Sequence, residues 1–188
     1  MRVLGISGSL RRDSHNSTLL RAAAEWLPAE VELELWDGLK AVPAYDEDDD
    51  GASAPAAVVA LREAIAEADA VLIATPEYNA SVPGQLKNAL DWVSRPLATN
   101  PLRNKPVAVI GASTGAFGAV WAQAELRKVL ATIGARVLDA ELAVGHAPTR
   151  LEGDQIDEIV GEGLDSVIQT IVAAVEERER ATAGPLAA

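Results

Sequence analysis

The chain of 188 residues contains no cysteine, which excludes disulfides, thiolate metal sites and cysteine nucleophiles. Its two histidines, His15 and His146, lie far apart without carboxylate neighbours in a ligand pattern, so neither a metal site nor a Ser-His-Asp arrangement can be argued. No stretch approaches the roughly 18 uninterrupted apolar residues of a membrane span. The opening residues show no secretory pattern, and a cytoplasmic location is expected. Basic residues are scarce, 16 against 28 acidic, and the net charge of −12 repels nucleic acid and anionic membranes. The first loop lacks the Lys-Ser/Thr ending of a nucleoside-triphosphate loop, and no Gly-x-Gly-x-x-Gly follows the first strand. Both familiar nucleotide-binding patterns are therefore disfavoured.

What is present is a regular alternation of strand and helix signals. Val3–Ser7, Ala70–Ala74, Val107–Gly111 and Ala135–Leu142 read as strands. Val31–Trp36 alternates apolar residues with acids and reads as an edge strand with one wet face. Helical spacing follows each strand: Leu19, Leu20, Ala23 and Leu27; Val58, Leu61 and Ile65; Leu86, Leu90 and Val93; Leu126, Val129, Leu130 and Ile133; Leu164, Val167, Ile168 and Ile171. Five strand–helix units predict a three-layer α/β/α domain with a mostly parallel sheet. The domain is placed at residues 1–177, with 178–188 as a flexible tail.

In such a sheet, ligands sit beyond the carboxyl ends of the strands. The loops expected there hold the unusual residues of the chain. The first, Gly8–Ser17, carries hydroxyl or amide donors at Ser9, Ser14, Asn16 and Ser17 and cations at Arg11 and Arg12. At a helix start, where unpaired N–H groups and the macrodipole favour anions, this set reads as a phosphate cradle. A plain βα turn with a Ser or Asn cap explains one or two of these residues, not four donors and two arginines. Arg2 and Arg21 are read as further cations near this turn.

The second loop, Thr75–Gly84, is stiffened by Pro76 and Pro83 and offers the ring of Tyr78, with Glu77 and Asn79 to orient main-chain groups towards a planar ligand. Its alternative reading is a stiff turn with Ser81 capping the next helix. The third, Gly111–Gly118, contains Ser113, Thr114 and Gly115, where backbone can approach a ligand and a hydroxyl can donate to a ring carbonyl. Its alternative is a βα turn with a Thr cap.

Gly-Ser-Leu-Arg with its Ser/Asn run, Pro-Glu-Tyr-Asn followed by Pro-Gly-x-Leu-Lys-Asn-Ala-x-Asp-Trp, and Gly-Ala-Ser-x-Gly with Gln-x-x-Leu-Arg together resemble the NADPH-dependent FMN reductase family, over about residues 1–145. Pro-Glu-Tyr-Asn is the most specific piece. The resemblance implies a flavodoxin-like fold with strand order 2-1-3-4-5 and non-covalent FMN. It implies NADPH or NADH as co-substrate and a small acceptor such as a quinone, chromate, an azo compound or free flavin. The FMN phosphate would sit on Ser9, Arg11, Ser14, Asn16 and Ser17, and the ring against Pro76, Glu77, Tyr78, Asn79, Ser113, Thr114 and Gly115. No catalytic side chain is assigned, because the flavin carries the chemistry. A homodimer or tetramer is implied, with Tyr45, Trp92 and Trp121 near the interface and Arg127 in an intersubunit ion pair.

Asp46–Gly51 opens like a calcium-binding EF-hand loop, yet Ala57 stands where the bidentate Glu belongs and Pro55 interrupts it, so a solvated acidic loop is the better reading. Two rivals to the reductase remain open at this point: a flavodoxin-like electron carrier, and a flavin-free binding or regulatory module on the same fold.

Overall fold

A computed structural model of the protein describes residues 1–51, 53–152 and 155–182. Five parallel strands, β1 (Arg2–Ser7), β2 (Glu32–Trp36), β3 (Ala70–Thr75), β4 (Pro106–Ala112) and β5 (Arg136–Val144), form one sheet in the order β2-β1-β3-β4-β5. This is the order implied by the family resemblance. β3 and β4 are buried along their whole lengths, which is why Ala70–Thr75 and Pro106–Ala112 are continuous apolar runs rather than alternating ones. β2 keeps Glu32 and Glu34 in water, as suits its place at the edge.

Helices α1 (His15–Ala23) and α6 (Glu158–Thr182) cover one face, packing Leu19, Leu20, Leu164, Ile168 and Ile171 against Leu72, Ala108 and Ile110. Helices α2 (Ala56–Glu67), α3 (Gly84–Val93) and α4 (Val120–Ile133) cover the other, burying Leu61, Ile65, Leu86, Leu90 and Leu126 against Leu4, Val71, Ile73 and Val109. Each element found here lies within a few residues of its expected place. The short α5 (Ala147–Arg150) and the hairpin of β6 (Leu151–Glu152) and β7 (Gln155–Ile156) have no periodicity long enough to read from sequence. α6 runs through residue 178, where the tail was placed, as far as Thr182; the rest of that expected tail lies outside the described residues.

β4 and β5 do not pair evenly. Val107 faces Val137 and Val109 faces Glu141, so Ala108 stands opposite the bulged segment Leu138–Ala140. Arg127, from α4, fills this bulge. Its guanidinium donates to the carbonyls of Leu138 at 2.7 Å and Val109 at 3.4 Å, and to that of Ala140. Glu141 lies 3.9 Å from its Nε. Arg127 is thus an inward-facing plug of the sheet within one chain, a correction to the intersubunit role expected for it. Trp92 is likewise core: it is fully buried, donates Nε1–H to the carbonyl of Pro43 at 2.9 Å and meets Tyr45 edge-on.

A second cation is buried among carbonyls. Lys105, 7% exposed, donates to the carbonyls of Ile65 at 2.7 Å and Ala66 at 3.0 Å and to that of Ala68, closing the C-terminal end of α2. Burial lowers its ammonium pKa to about 8, with Arg178 adding to the shift and Asp69 opposing it.

In the acidic loop, Asp46 accepts from the N–H of Asp48 at 3.0 Å and Asp50 pairs with Arg62 at 2.9 Å. The carboxylates of Asp46 and Asp50 thus already serve a local cap and an ion pair. Among the described residues, no helix is long and apolar enough to cross a membrane.

Candidate functional site

The loops after β1, β3 and β4 converge at the carboxyl end of the sheet, around a cleft of about 120 Å³ lined by Ser9, Arg11, Ser14 and His15 from the first, Pro76, Glu77 and Tyr78 from the second, and Ser113 and Thr114 from the third. Gly8 lets the first loop lie against the second, since a Cβ there would come 2.8 Å from Leu86 Cδ2 and 3.3 Å from Pro76 Cδ.

The first loop is ordered by its own hydroxyls. Ser14 is the N-cap of α1, accepting from the N–H of Ser17 at 3.3 Å. Ser17 shares a 2.9 Å hydrogen bond with Ser7, whose hydroxyl also accepts from the N–H of Ser9 at 3.4 Å. Ser7 was not among the expected site residues; only its distance from the helix, one loop away, concealed it. The Arg11 guanidinium is exposed and donates to the carbonyl of Asp13 at 2.9 Å. The main-chain N–H groups of His15 and Asn16, in the first turn of α1, have no acceptor among the described residues. Free amides, a cap and an arginine in one turn fit a phosphate monoester.

Asn16 has a different place from the one expected. Its side chain is 3% exposed and is taken up by the main chain of Ala112, donating to the carbonyl at 3.0 Å and accepting from the N–H at 2.9 Å. It holds the first loop to the end of β4, and only its amide is left for a ligand. Arg2 is also displaced from its expected position. It lies at the amino end of β1 and pairs with Glu34 and Glu67, at the opposite end of the sheet from the loop.

Tyr78 and Ser81 exchange two main-chain hydrogen bonds of 3.1 Å, with Asn79 and Ala80 at φ 54° and 57° between them. Two successive residues of positive φ make this a tight type I′ turn, which favours Asn and is strained at Ala80. The turn leaves Tyr78 51% exposed beside the cleft.

Ser81 does not cap α3; its hydroxyl donates to Glu125 at 2.5 Å, and with the N–H of Val82 holds that carboxyl below its usual range. Glu77 reaches the other way. Its carboxylate accepts from the N–H groups of Trp121 at 3.1 Å and Ala122 at 3.2 Å, at the start of α4. The residue before that helix, Ala119, is left-handed and offers no cap, so the Thr cap considered for the third loop is replaced by a carboxylate from the second. The second loop and α4 are locked together by reciprocal carboxylates.

The third loop hangs on the segment that leaves β5. The N–H of Ser113 donates to Val144 at 3.0 Å, that of Ala147 to Ser113 at 3.0 Å, and that of His146 to Gly115 at 2.9 Å. Gly118 and Gly145 permit this crossing, because a Cβ on either would fall within 2.5 Å of main-chain atoms of Ala143 or Ala116. A Cβ at Gly115, by contrast, would meet nothing closer than 3.9 Å, which leaves the cleft side of the loop open to a ligand. Thr114 and Gly115 are exposed, and Phe117, 64% exposed, packs edge-on to Trp121 at 5.0 Å.

The fold and the phosphate-type turn define a flavodoxin-like α/β protein. A sequence model of the NADPH-dependent FMN reductase family matches residues 1–149, and the chain belongs to that family. It is 41% identical to the NAD(P)H-dependent FMN reductase of Pseudomonas aeruginosa over 174 residues, 89% of this chain and 93% of the relative. It is 37% identical to a quinone reductase of Escherichia coli K12 over 182 residues, 96% of each. Among solved structures, the flavoenzyme NAD(P)H:(acceptor) oxidoreductase FerB of Paracoccus denitrificans superposes with a TM-score of 0.84 at 36% identity, covering 94% of this chain and 97% of that one.

Proposed function

We propose that the protein is an FMN-dependent NAD(P)H oxidoreductase whose acceptor is a small quinone or a similar planar oxidant. The observation that carries this reading is the meeting of the phosphate turn of α1 with Tyr78 and with Ser113 and Thr114 of the third loop in one cleft. The names of the relatives agree with it.

The residues present fit FMN. Arg11, Ser9, Ser14 and the amides of His15 and Asn16 would hold the phosphate. Pro76, Glu77, Tyr78 and Asn79 would border the ring on one side, and Ser113, Thr114 and Gly115 on the other. When bound, FMN supplies the capacity to accept a hydride from a nicotinamide and to return two electrons to an acceptor. The protein's own work is placement. The type I′ turn and the Glu77 cap fix the two ring-bordering loops before any ligand arrives, so main-chain donors need no reorganisation where negative charge grows. The exposed ring of Tyr78 gives the cleft an apolar edge that suits flat aromatic acceptors.

The proposal extends to assembly and place. Phe117 and Trp121, exposed and packed edge-on at the start of α4, form an apolar pair of the kind a second copy covers, and a cytoplasmic homodimer is the form proposed. The test is an absorption spectrum after loading with FMN, followed by anaerobic NADPH or NADH. Bound flavin that bleaches within seconds supports the reductase. Bound flavin that stays yellow identifies an electron carrier instead, and a colourless protein overturns the cofactor assignment.

A further inference from the structure

Beyond the first loop lies a second groove, of about 460 Å³, at the carboxyl ends of β1 and β2. Its walls include Ser9 and Arg11, which also line the cleft, so the two spaces adjoin across a single loop. The far wall is formed by Trp36 and Asp37 at the end of β2, Lys40 in the following turn, and Arg21 on α1.

The charge here departs from that of the molecule. In a chain of net charge −12, this groove gathers three cations, Arg11, Arg21 and Lys40, against one acid, Asp37. None of the three forms an ion pair among the described residues, although Arg2, Arg62, Lys87, Arg136 and Arg150 all do. Arg21 and Lys40 are exposed, and the polar contact of the Arg21 guanidinium is a long 3.4 Å hydrogen bond to the Thr18 hydroxyl. With Arg11 engaged in the phosphate turn, Arg21 and Lys40 remain as unmatched charge facing a space large enough for a nucleotide half. Trp36 is half-buried, with its indole packed over Gly38, where a Cβ would come 2.5 Å from the ring, and against the core on one side while lining the groove on the other. A flat indole beside two cations suits a base and a phosphate ester.

We infer that this groove binds the adenosine half of NADPH, with Arg21 and Lys40 holding its 2′-phosphate and the indole of Trp36 supporting the adenine. The inference rests on the NAD(P)H reading above and adds to it the residues that set the choice of dinucleotide. Asp37 makes the assignment falsifiable. An acid after the second strand can accept from an unphosphorylated ribose 2′-hydroxyl, and a groove governed by Asp37 would favour NADH. Two cations against one carboxylate decide for the phosphate.

The test uses the FMN-loaded protein and calorimetric titration with two probes, 2′,5′-ADP and 5′-ADP. The first is expected to bind about tenfold more tightly or better, a difference of about 1.4 kcal/mol. The double variant Arg21→Ala/Lys40→Ala removes that difference, and Asp37→Asn widens it. Equal binding of the probes, or a preference that survives the double variant, overturns the inference. These outcomes are separate from the fate of the functional reading, because bleaching of bound flavin by NADPH and by NADH is scored independently. A protein that either nucleotide bleaches while the probes bind equally keeps its proposed function and loses this site.

Discussion

Asn16 and Ala112, 96 residues apart in the chain, exchange two hydrogen bonds, one in each direction between side-chain amide and main chain. The pair joins the phosphate turn to the loop after β4. Asn16→Ala would leave a buried N–H and a buried carbonyl without partners, at a cost of about 2–4 kcal/mol. We expect a matching fall in the urea midpoint of the FMN-free protein. Asn16→Asp keeps the acceptor but sets a buried carboxylate against the Ala112 carbonyl, and should be at least as destabilised as the alanine variant. A wild-type midpoint in the alanine variant would show that water replaces the side chain.

Arg11→Ala combined with Ser17→Ala removes an exposed charge and one hydroxyl of the first loop. A charge-assisted bond to phosphate contributes about 1.5–3 kcal/mol, so FMN affinity should fall roughly 10- to 100-fold. Ser17 shares its hydrogen bond with Ser7, so a small loss of stability is also expected. Fluorescence titration of the apoprotein with FMN measures the first effect. Unchanged affinity would remove the phosphate from this turn.

Tyr78→Ala keeps the main-chain turn and removes the exposed ring, so it should lower turnover while leaving thermal unfolding within about 0.5 kcal/mol of wild type. Glu77→Gln does the reverse at first sight. It discards the negative charge at the start of α4, costing about 0.5–1 kcal/mol, and loosens the second loop from that helix. Steady-state kinetics beside thermal melts separate the two. Full activity in Tyr78→Ala would take that ring out of the site.

Lys105 gives a pH signature. Its ordinary pKa of 10.5 drops to about 8 in the fold, so between these values the unfolded chain holds a proton that the folded chain releases. Stability from this group therefore rises as pH climbs from about 8 to about 10.5. Urea midpoints across that range should rise relative to Lys105→Met, in which the contribution vanishes. A constant difference between the two proteins would mean that the three carbonyls keep the ammonium charged.

Arg127→Met tests the plug of the β4–β5 bulge. Three carbonyls lose their donor, and we expect a loss of about 2–4 kcal/mol with no change in oligomeric state. Light scattering on the refolded variant decides the second point; dissociation at unchanged stability would restore an intersubunit role.

The layers, the strand order and the three loops could be read from the sequence because each rests on local pattern. Ala70–Ala74 is an uninterrupted apolar run, Leu86, Leu90 and Val93 keep helical spacing, and Ser14 announces a cap. Roles that depend on distant partners could not be read. Nothing near Asn16 indicates Ala112, nothing near Glu77 indicates the amides of α4, and Arg127 looks like any surface arginine until the bulge appears beside it. The hydroxyl of Ser7 belongs to the strand by pattern and to the site by geometry. In each case the missing information was a partner in another element.

The attachment of the third loop to residues 144–147 also bears on the order in which the molecule is made. A ribosome delivers the phosphate turn, the Tyr78 turn and the Ser113–Gly115 loop well before the segment on which that last loop hangs. Until Val144, His146 and Ala147 have left the exit tunnel, the third loop lacks the three main-chain hydrogen bonds that tie it to that segment. Chains arrested before residue 144 should therefore retain less FMN than the released protein.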